Sequence, residues 1–93
     1  MAKYQVLPTN KFKRDVNVLR KRGYDMSLLE EIVAELADGA TLSEKHHDHP
    51  LKGKRKGYRD CHILNDWVLI YKIDKGILTL ILSETGRHTD LLE

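Results

Sequence analysis

Side chains that can transfer protons are concentrated in residues 46–72. This stretch holds four of the five histidines, three aspartates and six lysines or arginines within 27 positions. Histidine exchanges protons near neutral pH because its unperturbed pKa is about 6.5, and lysine or arginine stabilises negative charge that builds up on a phosphate. Such a set suffices for metal-free RNA cleavage. In that reaction a base deprotonates a ribose 2′-OH, this oxygen attacks the adjacent phosphorus, and an acid protonates the departing 5′-oxygen.

Three histidines are candidates for this chemistry, and each also has a simpler interpretation. Pro50 forces His49 into an extended conformation within a basic loop, where His49 is either a site residue or a surface residue. His62 shares one face of a predicted strand with Asp60, about 7 Å away at ~3.3 Å per residue, and is either a site residue or a polar residue of the sheet. His88 either folds back onto this region or is an ordinary exposed histidine.

Other polar residues of this region favour structural interpretations. Asp66 suits a tight turn, His46 and His47 suit a solvated loop, and Cys61 falls on the core face of its predicted strand. We therefore expect a buried thiol and no cysteine nucleophile. The H-H-x-H run that ends at His49 resembles a metal-ligand spacing, but neighbouring side chains in a loop diverge and no cysteine pattern supports a site. We expect neither a metal nor another cofactor.

The composition is that of one small globular domain spanning residues 1–93. Apolar residues make up 41% of the chain and charged residues 32%, which is too apolar for a disordered chain. No apolar run approaches the ~20 residues that cross a bilayer, and the opening MAKYQ lacks the apolar core of a signal peptide. A single cysteine excludes an internal disulfide. We expect a cytoplasmic protein without membrane contact, and no P-loop or dinucleotide-binding motif is present.

The net charge of +2 hides a strong segregation of charge along the chain. Residues 1–22 carry +6 and residues 45–59 carry +5, whereas residues 23–44 carry −6 and residues 60–93 carry −3. If the two basic segments meet in the fold, they form a patch suited to a phosphate backbone. A merely solvated helix face is the simpler explanation of the first basic segment.

Hydrophobic spacing predicts a strand and two helices in the first half of the chain. Residues 3–7 alternate polar and apolar side chains, as in a short strand. A first helix follows a cap at Thr9 or Asn10. An S-x-x-E capping box at Ser27 opens a second helix, which Gly39 stops. The short link between the helices predicts an antiparallel hairpin.

The second half predicts an antiparallel meander. Its strands are expected at residues 58–63, 67–73 and 77–83. The last two are apolar on nearly both faces, which is typical of central strands. Between the helices and the meander, residues 40–56 form a long loop of the kind that is usually functional. Gly86 turns the chain so that His88 lies just beyond the sheet. The predicted fold class is α+β: an N-terminal strand, a two-helix hairpin and an antiparallel meander.

Four motifs closely resemble those of one protein family. They are D-H-P-L-K-G at 48–53, K-G-Y-R-D-C-H at 56–62, D-W-V-L-I-Y-K at 66–72 and T-G-R-H at 85–88. The chain is similar in these motifs to the YafQ toxins, a branch of the RelE/ParE superfamily of bacterial type II toxin–antitoxin systems. The resemblance covers essentially the whole chain and is specific from Asp48 onward. It implies a RelE-like fold, in agreement with the order of elements predicted above.

The resemblance implies an endoribonuclease that enters the ribosomal A site and cuts messenger RNA during translation. The family's functional positions fall on His49, Asp60, His62, Asp66 and His88. We assign His49 as the general base and His88 as the general acid, with His62 beside them and either aspartate orienting an imidazole. The exchange of acid and base remains open. The residues expected to hold RNA phosphates are Lys52, Lys54, Arg55, Lys56, Arg59 and Arg87.

Two positions depart from this expectation. Family members commonly carry an aromatic residue four positions after the last histidine, where this chain has Leu92. If that aromatic ring stacks on a base, its loss weakens RNA binding by about 1–3 kcal/mol. Strict alternation also sends Arg59 to the core face. Either the regular strand begins after Arg59 or its stem reaches the edge of the sheet.

The superfamily also implies a partner protein. A toxin in growing cells is held by an antitoxin, here expected to be a DinJ-like ribbon-helix-helix protein whose acidic segment folds over the basic surface. Promoter DNA is expected to bind only the toxin–antitoxin complex. Two other functions are open. The ParE branch of the superfamily acts on DNA gyrase, and a non-catalytic RNA or ribosome binder would carry its histidines incidentally.

Overall fold

The computed structural model describes residues 2–92, which form a five-stranded sheet in the order β1-β5-β4-β3-β2 with the two long helices on one face. The elements are β1 Gln5–Pro8, α1 Asn10–Lys21, α2 Met26–Ala37, β2 His49–Pro50, β3 Arg59–Leu64, β4 Trp67–Asp74, β5 Thr79–Arg87 and α3 His88–Leu92. β1 pairs with β5 in parallel, and the other pairs are antiparallel. The predicted α+β class and its order of a strand, two helices and a meander are confirmed.

The two long helices begin at side-chain caps. The Thr9 hydroxyl accepts the Phe12 N–H at 3.1 Å and donates to the Ser83 carbonyl at 2.7 Å, which ties the start of α1 to β5. The predicted capping box at Ser27 is wrong. Asp25 is the N-cap of α2, because its carboxylate accepts both the Ser27 N–H at 3.0 Å and the Ser27 hydroxyl at 2.6 Å. α1 then packs chiefly on β5, and α2 contacts β3.

β4 is buried on both faces, as its sequence predicts. Trp67, Leu69 and Tyr71 join the core beneath the two helices. Val68 and Ile70 point to the other face and are also completely buried, although they lie outside that core. The second face of the sheet is therefore covered as well, and the candidate site is built on it.

The end of the chain covers part of this second face. β5 continues to Arg87, so the predicted turn at Gly86 is wrong: Gly86 pairs with Val68 inside the sheet, and Leu91 of α3 packs over it. The chain turns one step later, where the His88 N–H donates to the Asp66 carbonyl at 2.7 Å. The placement of His88 just beyond the sheet is confirmed.

The predicted loop at residues 40–56 is more ordered than its sequence indicates. It contains the two-residue strand β2 and two 3₁₀ turns, at Glu44–His46 and Gly53–Arg55. The Leu51 N–H donates to the Tyr58 carbonyl at 2.9 Å and closes the segment between β2 and β3. Within residues 2–92, no helix is long and apolar enough to cross a membrane.

Candidate active site

β2 places His49 directly opposite Asp60 of β3. The Nε2 atom of His49 lies 3.6 Å from Oδ2 of Asp60, and its Nδ1 atom lies 2.6 Å from the carbonyl oxygen of His47. A carbonyl can only accept a hydrogen bond, so Nδ1 must carry the hydrogen. Neutral His49 therefore keeps its lone pair on Nε2, the nitrogen that faces Asp60.

Asp60 is a buried carboxylate with little direct stabilisation. Its side chain is 0% exposed, and neither carboxylate oxygen has a hydrogen-bond partner within residues 2–92. Burial raises the pKa of Asp60, while the nearby imidazoles of His49, His62 and His88 oppose that rise. The anionic form of Asp60 thus depends on positive charge on the surrounding histidines.

His62 and His88 meet on the same side of the sheet. Their ring centroids are 5.9 Å apart, although 26 positions separate the residues in sequence. Nδ1 of His62 lies 3.3 Å from the Asn65 carbonyl in the turn between β3 and β4. The structure therefore brings the side chains of four candidate residues close together. They are His49, Asp60, His62 and His88.

Asp66 joins this group through its main chain. Its carbonyl accepts the His88 N–H, while its side chain is exposed at the β3–β4 turn predicted for it. The carboxylate that faces an imidazole is that of Asp60. Of the two aspartates considered for orienting a histidine, Asp60 lies 3.6 Å from Nε2 of His49.

The six candidate phosphate-binding residues fall into two groups. Three are held by carboxylates: Arg55 Nη1 lies 2.8 Å from Glu84, Arg59 Nε lies 3.1 Å from Asp48, and Arg87 Nε lies 3.2 Å from Asp90. The other three are exposed and have no carboxylate partner within 4.0 Å among residues 2–92. They are Lys52, Lys54 and Lys56.

The structure shows how Arg59 is accommodated, although strict alternation would send its side chain to the core face. It belongs to β3, so the expectation that the strand could begin after it is wrong. Its side chain instead reaches the edge of the sheet, where it is 39% exposed and bound to Asp48. The Tyr71 hydroxyl donates to the same Asp48 oxygen at 2.7 Å. Asp48, the residue before His49, is thus bound to both β3 and β4. Sequence reasoning missed this structural role.

His46 and His47 are a second omission. Sequence reasoning placed both in solvated loop, and His47 is indeed exposed. Nδ1 of His46 nevertheless lies 2.7 Å from the His62 carbonyl, and the His47 ring meets the His62 ring edge-on at 5.6 Å between centroids. His47 also supplies the carbonyl that contacts His49. The short spacing to His49 was the only signal in the sequence.

Cys61 points away from the site, into the core beneath the helices. Its side chain is completely buried, and burial raises the pKa of its thiol. This agrees with the expectation of a buried thiol. Within residues 2–92, no three histidine, cysteine, aspartate or glutamate side chains are arranged to hold a metal ion.

Comparisons with known proteins cover nearly the whole chain. A family model described as "Bacterial toxin of type II toxin-antitoxin system, YafQ" matches residues 4–93. The mRNA interferase toxin YafQ of Escherichia coli K12 is 37% identical over 84 residues, which are 89% of each chain. The toxin in the crystal structure of the E. coli DinJ-YafQ complex is 34% identical, with a TM-score of 0.88 over 98% of this chain and 99% of that one. A metal-bound toxin from Helicobacter pylori is 39% identical, with a TM-score of 0.89 over 99% of this chain and 100% of that one.

Proposed function

This chain belongs to the YafQ family of bacterial type II toxins, and on that premise we propose that it is a ribosome-dependent mRNA endoribonuclease that acts in the cytoplasm. One observation carries the proposal. Three histidines from separate segments lie near a completely buried aspartate, and three exposed lysines follow one of these histidines, His49, in the chain. Acid–base groups beside cations are what cleavage through a ribose 2′-OH requires.

His49 is suited to be the general base. Its hydrogen-bonded Nδ1 leaves the lone pair on Nε2, and the 3.6 Å gap to Asp60 leaves that nitrogen without a tight partner. When Nε2 takes the proton of the 2′-OH, an imidazolium forms beside a buried carboxylate. Asp60 stabilises that charge at the moment it appears, because the carboxylate is already in place.

His88 is suited to be the general acid. It begins α3 and is anchored by its own N–H to Asp66, so its backbone is fixed next to the sheet. Its ring lies beside that of His62, with 5.9 Å between the two centroids, so a second imidazole is next to the acid. Protonated His88 would give its proton to the departing 5′-oxygen. Paired acid and base groups predict a cleavage rate that is bell-shaped in pH.

The exposed lysines are suited to hold the message. Lys52, Lys54 and Lys56 immediately follow β2, on the segment that carries His49. Their ammonium groups would neutralise phosphates on either side of the cleaved bond. Leu92, the last residue of α3, has no ring to stack on a base, so base stacking contributes nothing at this position.

An antitoxin partner follows from the same family. The relatives include toxins crystallised as E. coli DinJ-YafQ complexes. For this chain we propose a DinJ-like ribbon-helix-helix antitoxin with an acidic segment, which would pair with the three lysines and block the approach of RNA. Promoter DNA would then bind the complex and not the toxin alone.

The test is a cleavage assay on ribosomes stalled in elongation. Wild-type protein, His88→Ala and a control, Lys75→Ala in the exposed turn between β4 and β5, are added to preformed complexes, and the 5′ ends of the message are mapped. Cuts inside the A-site codon that persist after chelation with EDTA, remain with Lys75→Ala and vanish with His88→Ala are expected. An intact message with translation still blocked would point to a non-catalytic binder. No effect on translation would move the assignment to gyrase or another target.

A further inference from the structure

We propose that His47 is a positioning residue: its carbonyl selects the tautomer of His49, and its ring packs against His62. His47 has no part in the acid–base chemistry described above. The inference rests on the proposed function, because it concerns the same imidazoles. It assigns to His47 a role in preparing them for proton transfer.

The backbone of His47 has an uncommon conformation. It follows the 3₁₀ turn at Glu44–His46, its N–H donates to the Glu44 carbonyl at 3.0 Å, and its φ of 46° and ψ of 42° lie in the left-handed region. Residues other than glycine seldom adopt this region, because Cβ then approaches the carbonyl oxygen, although asparagine, aspartate and histidine do so several-fold more often than the rest. This conformation sets the direction of the His47 carbonyl, which contacts Nδ1 of His49 at 2.6 Å.

That contact has a chemical consequence. Neutral imidazole carries its hydrogen on either Nδ1 or Nε2, and a neighbouring hydrogen bond decides between them. With the His47 carbonyl as acceptor, the hydrogen stays on Nδ1 and the basic lone pair stays on Nε2. If the carbonyl turned away, a fraction of His49 would carry the hydrogen on Nε2 and could not accept a proton there. In a serine protease triad, an imidazole held in the wrong tautomer loses about 10⁴-fold in rate.

The side chain of His47 contacts a second candidate histidine. Its ring lies edge-on to His62, whose ring in turn lies 5.9 Å from that of His88. The preceding residue, His46, holds the main chain at His62 through its Nδ1 atom. The His46–His47 pair therefore contacts both strands of the site, β2 through His49 and β3 through His62.

Two kinds of substitution distinguish the effect of the His47 carbonyl from that of the His47 ring. His47→Gly and His47→Asn remove the imidazole but tolerate the left-handed backbone, whereas His47→Val removes it and disfavours that backbone. Leu78→Val is the matched control. Leu78 has a φ of 50° and is exposed in the turn between β4 and β5, so it reports the general effect of valine at a left-handed position.

The readouts are the His49 tautomer and the cleavage rate. Two-bond ¹H–¹⁵N spectra of the free protein, assigned with His49→Gln, should show the hydrogen on Nδ1 in wild type, His47→Gly, His47→Asn and Leu78→Val. His47→Val should show a mixture of tautomers and cleave stalled complexes at least tenfold more slowly, with unchanged ribosome affinity. His47→Gly should retain the tautomer and lose only the smaller contribution of the ring to the rate.

Three results would overturn the proposal. They are an unchanged His49 tautomer in His47→Val, an equal loss of rate in His47→Val and Leu78→Val, and a loss in His47→Gly as large as that in His47→Val. If His47→Val fails to fold, His47→Ala places a smaller strain on the same backbone and decides by the same criteria. If the wild-type protein cuts no message, the proposed function fails, while the spectra of the free protein still decide whether His47 selects the tautomer.

Discussion

Asp60→Asn should slow cleavage while making the folded protein more stable. The substitution keeps the shape of a side chain that is 0% exposed and removes its charge. Asp60 and Nε2 of His49 are 3.6 Å apart, and two unit charges at about this distance attract by ~4 kcal/mol at an effective dielectric constant of 20 and by ~1 kcal/mol in bulk water. The His49 side chain is 50% exposed, so solvent screening favours the lower half of this range. We expect the single-turnover cleavage rate to fall about 10- to 100-fold.

The gain in stability follows from the burial of Asp60. Burial raises the pKa of Asp60 in the folded protein above its ordinary value near 3.8, so the folded state favours the neutral acid. A group of this kind stabilises the fold below its unfolded pKa and loses that contribution as the pH rises through its folded pKa. The asparagine variant and wild type should therefore be about equally stable below pH ~4, and the variant should be the more stable at pH 7.

The assay compares thermal unfolding from pH 4 to pH 8 with cleavage on stalled ribosomes. Asp38→Asn is the control, because Asp38 is exposed at the end of α2 and is not among the candidate site residues. It should leave both measurements near wild type. A variant at Asp60 that cuts as fast as wild type would refute the electrostatic role of this carboxylate. A parallel loss of rate and stability would show that Asp60 is a structural residue instead.

Five further substitutions test other parts of the structure. Arg55→Met should release the end of α3, because Arg55 binds both the Glu84 carboxylate of β5 and the Leu91 carbonyl of α3. Cleavage should slow with little change in ribosome affinity, and a loss of affinity alone would mean that Arg55 binds RNA. Tyr71→Phe should lower the free energy of unfolding by about 2 kcal/mol in denaturant titrations, because Asp48 loses a buried donor, and an unchanged midpoint would contradict this. Single alanine substitutions at Lys52, Lys54 and Lys56 should each lower the salt dependence of RNA binding by about one phosphate contact. Slopes of log K against log salt that equal the wild-type slope would exclude phosphate binding by these lysines.

Sequence reasoning succeeds where one local pattern decides the outcome. β4 was predicted from a run that is apolar on both faces, and the structure buries Val68 and Ile70 on one face and Leu69 and Tyr71 on the other. The cap of α1 was likewise predicted from its own neighbourhood, at Thr9 or Asn10, and the structure has it at Thr9. The cap of α2 was missed because Asp25 and Ser27 are both good capping residues, and only the hydrogen bond between them decides which one acts.

The assembly of the site depends on pairings that local patterns do not contain. β2 is two residues long, so no alternation of side chains could predict it, yet its register alone places His49 opposite Asp60. The left-handed conformation of His47 could not be predicted either, because histidine, although enriched there, adopts this conformation in only a small minority of cases. Motif resemblance implied that His49 and Asp60 are functional positions, but it did not show that the two residues lie opposite each other.

Arg55 shows how such distant pairings alter a chemical interpretation. A basic residue in the run from Lys52 to Lys56 suggests phosphate binding, and its neighbours in that run are indeed exposed. Arg55 instead contacts Glu84, 29 positions away, and the Leu91 carbonyl, 36 positions away. These contacts fix α3 against the sheet at both of its ends, since His88 at its start is bound to Asp66. The position of the proposed general acid therefore depends on a cation from the basic segment. A partner protein that drew Arg55 away from Glu84 would loosen α3 and disable cleavage without touching a histidine.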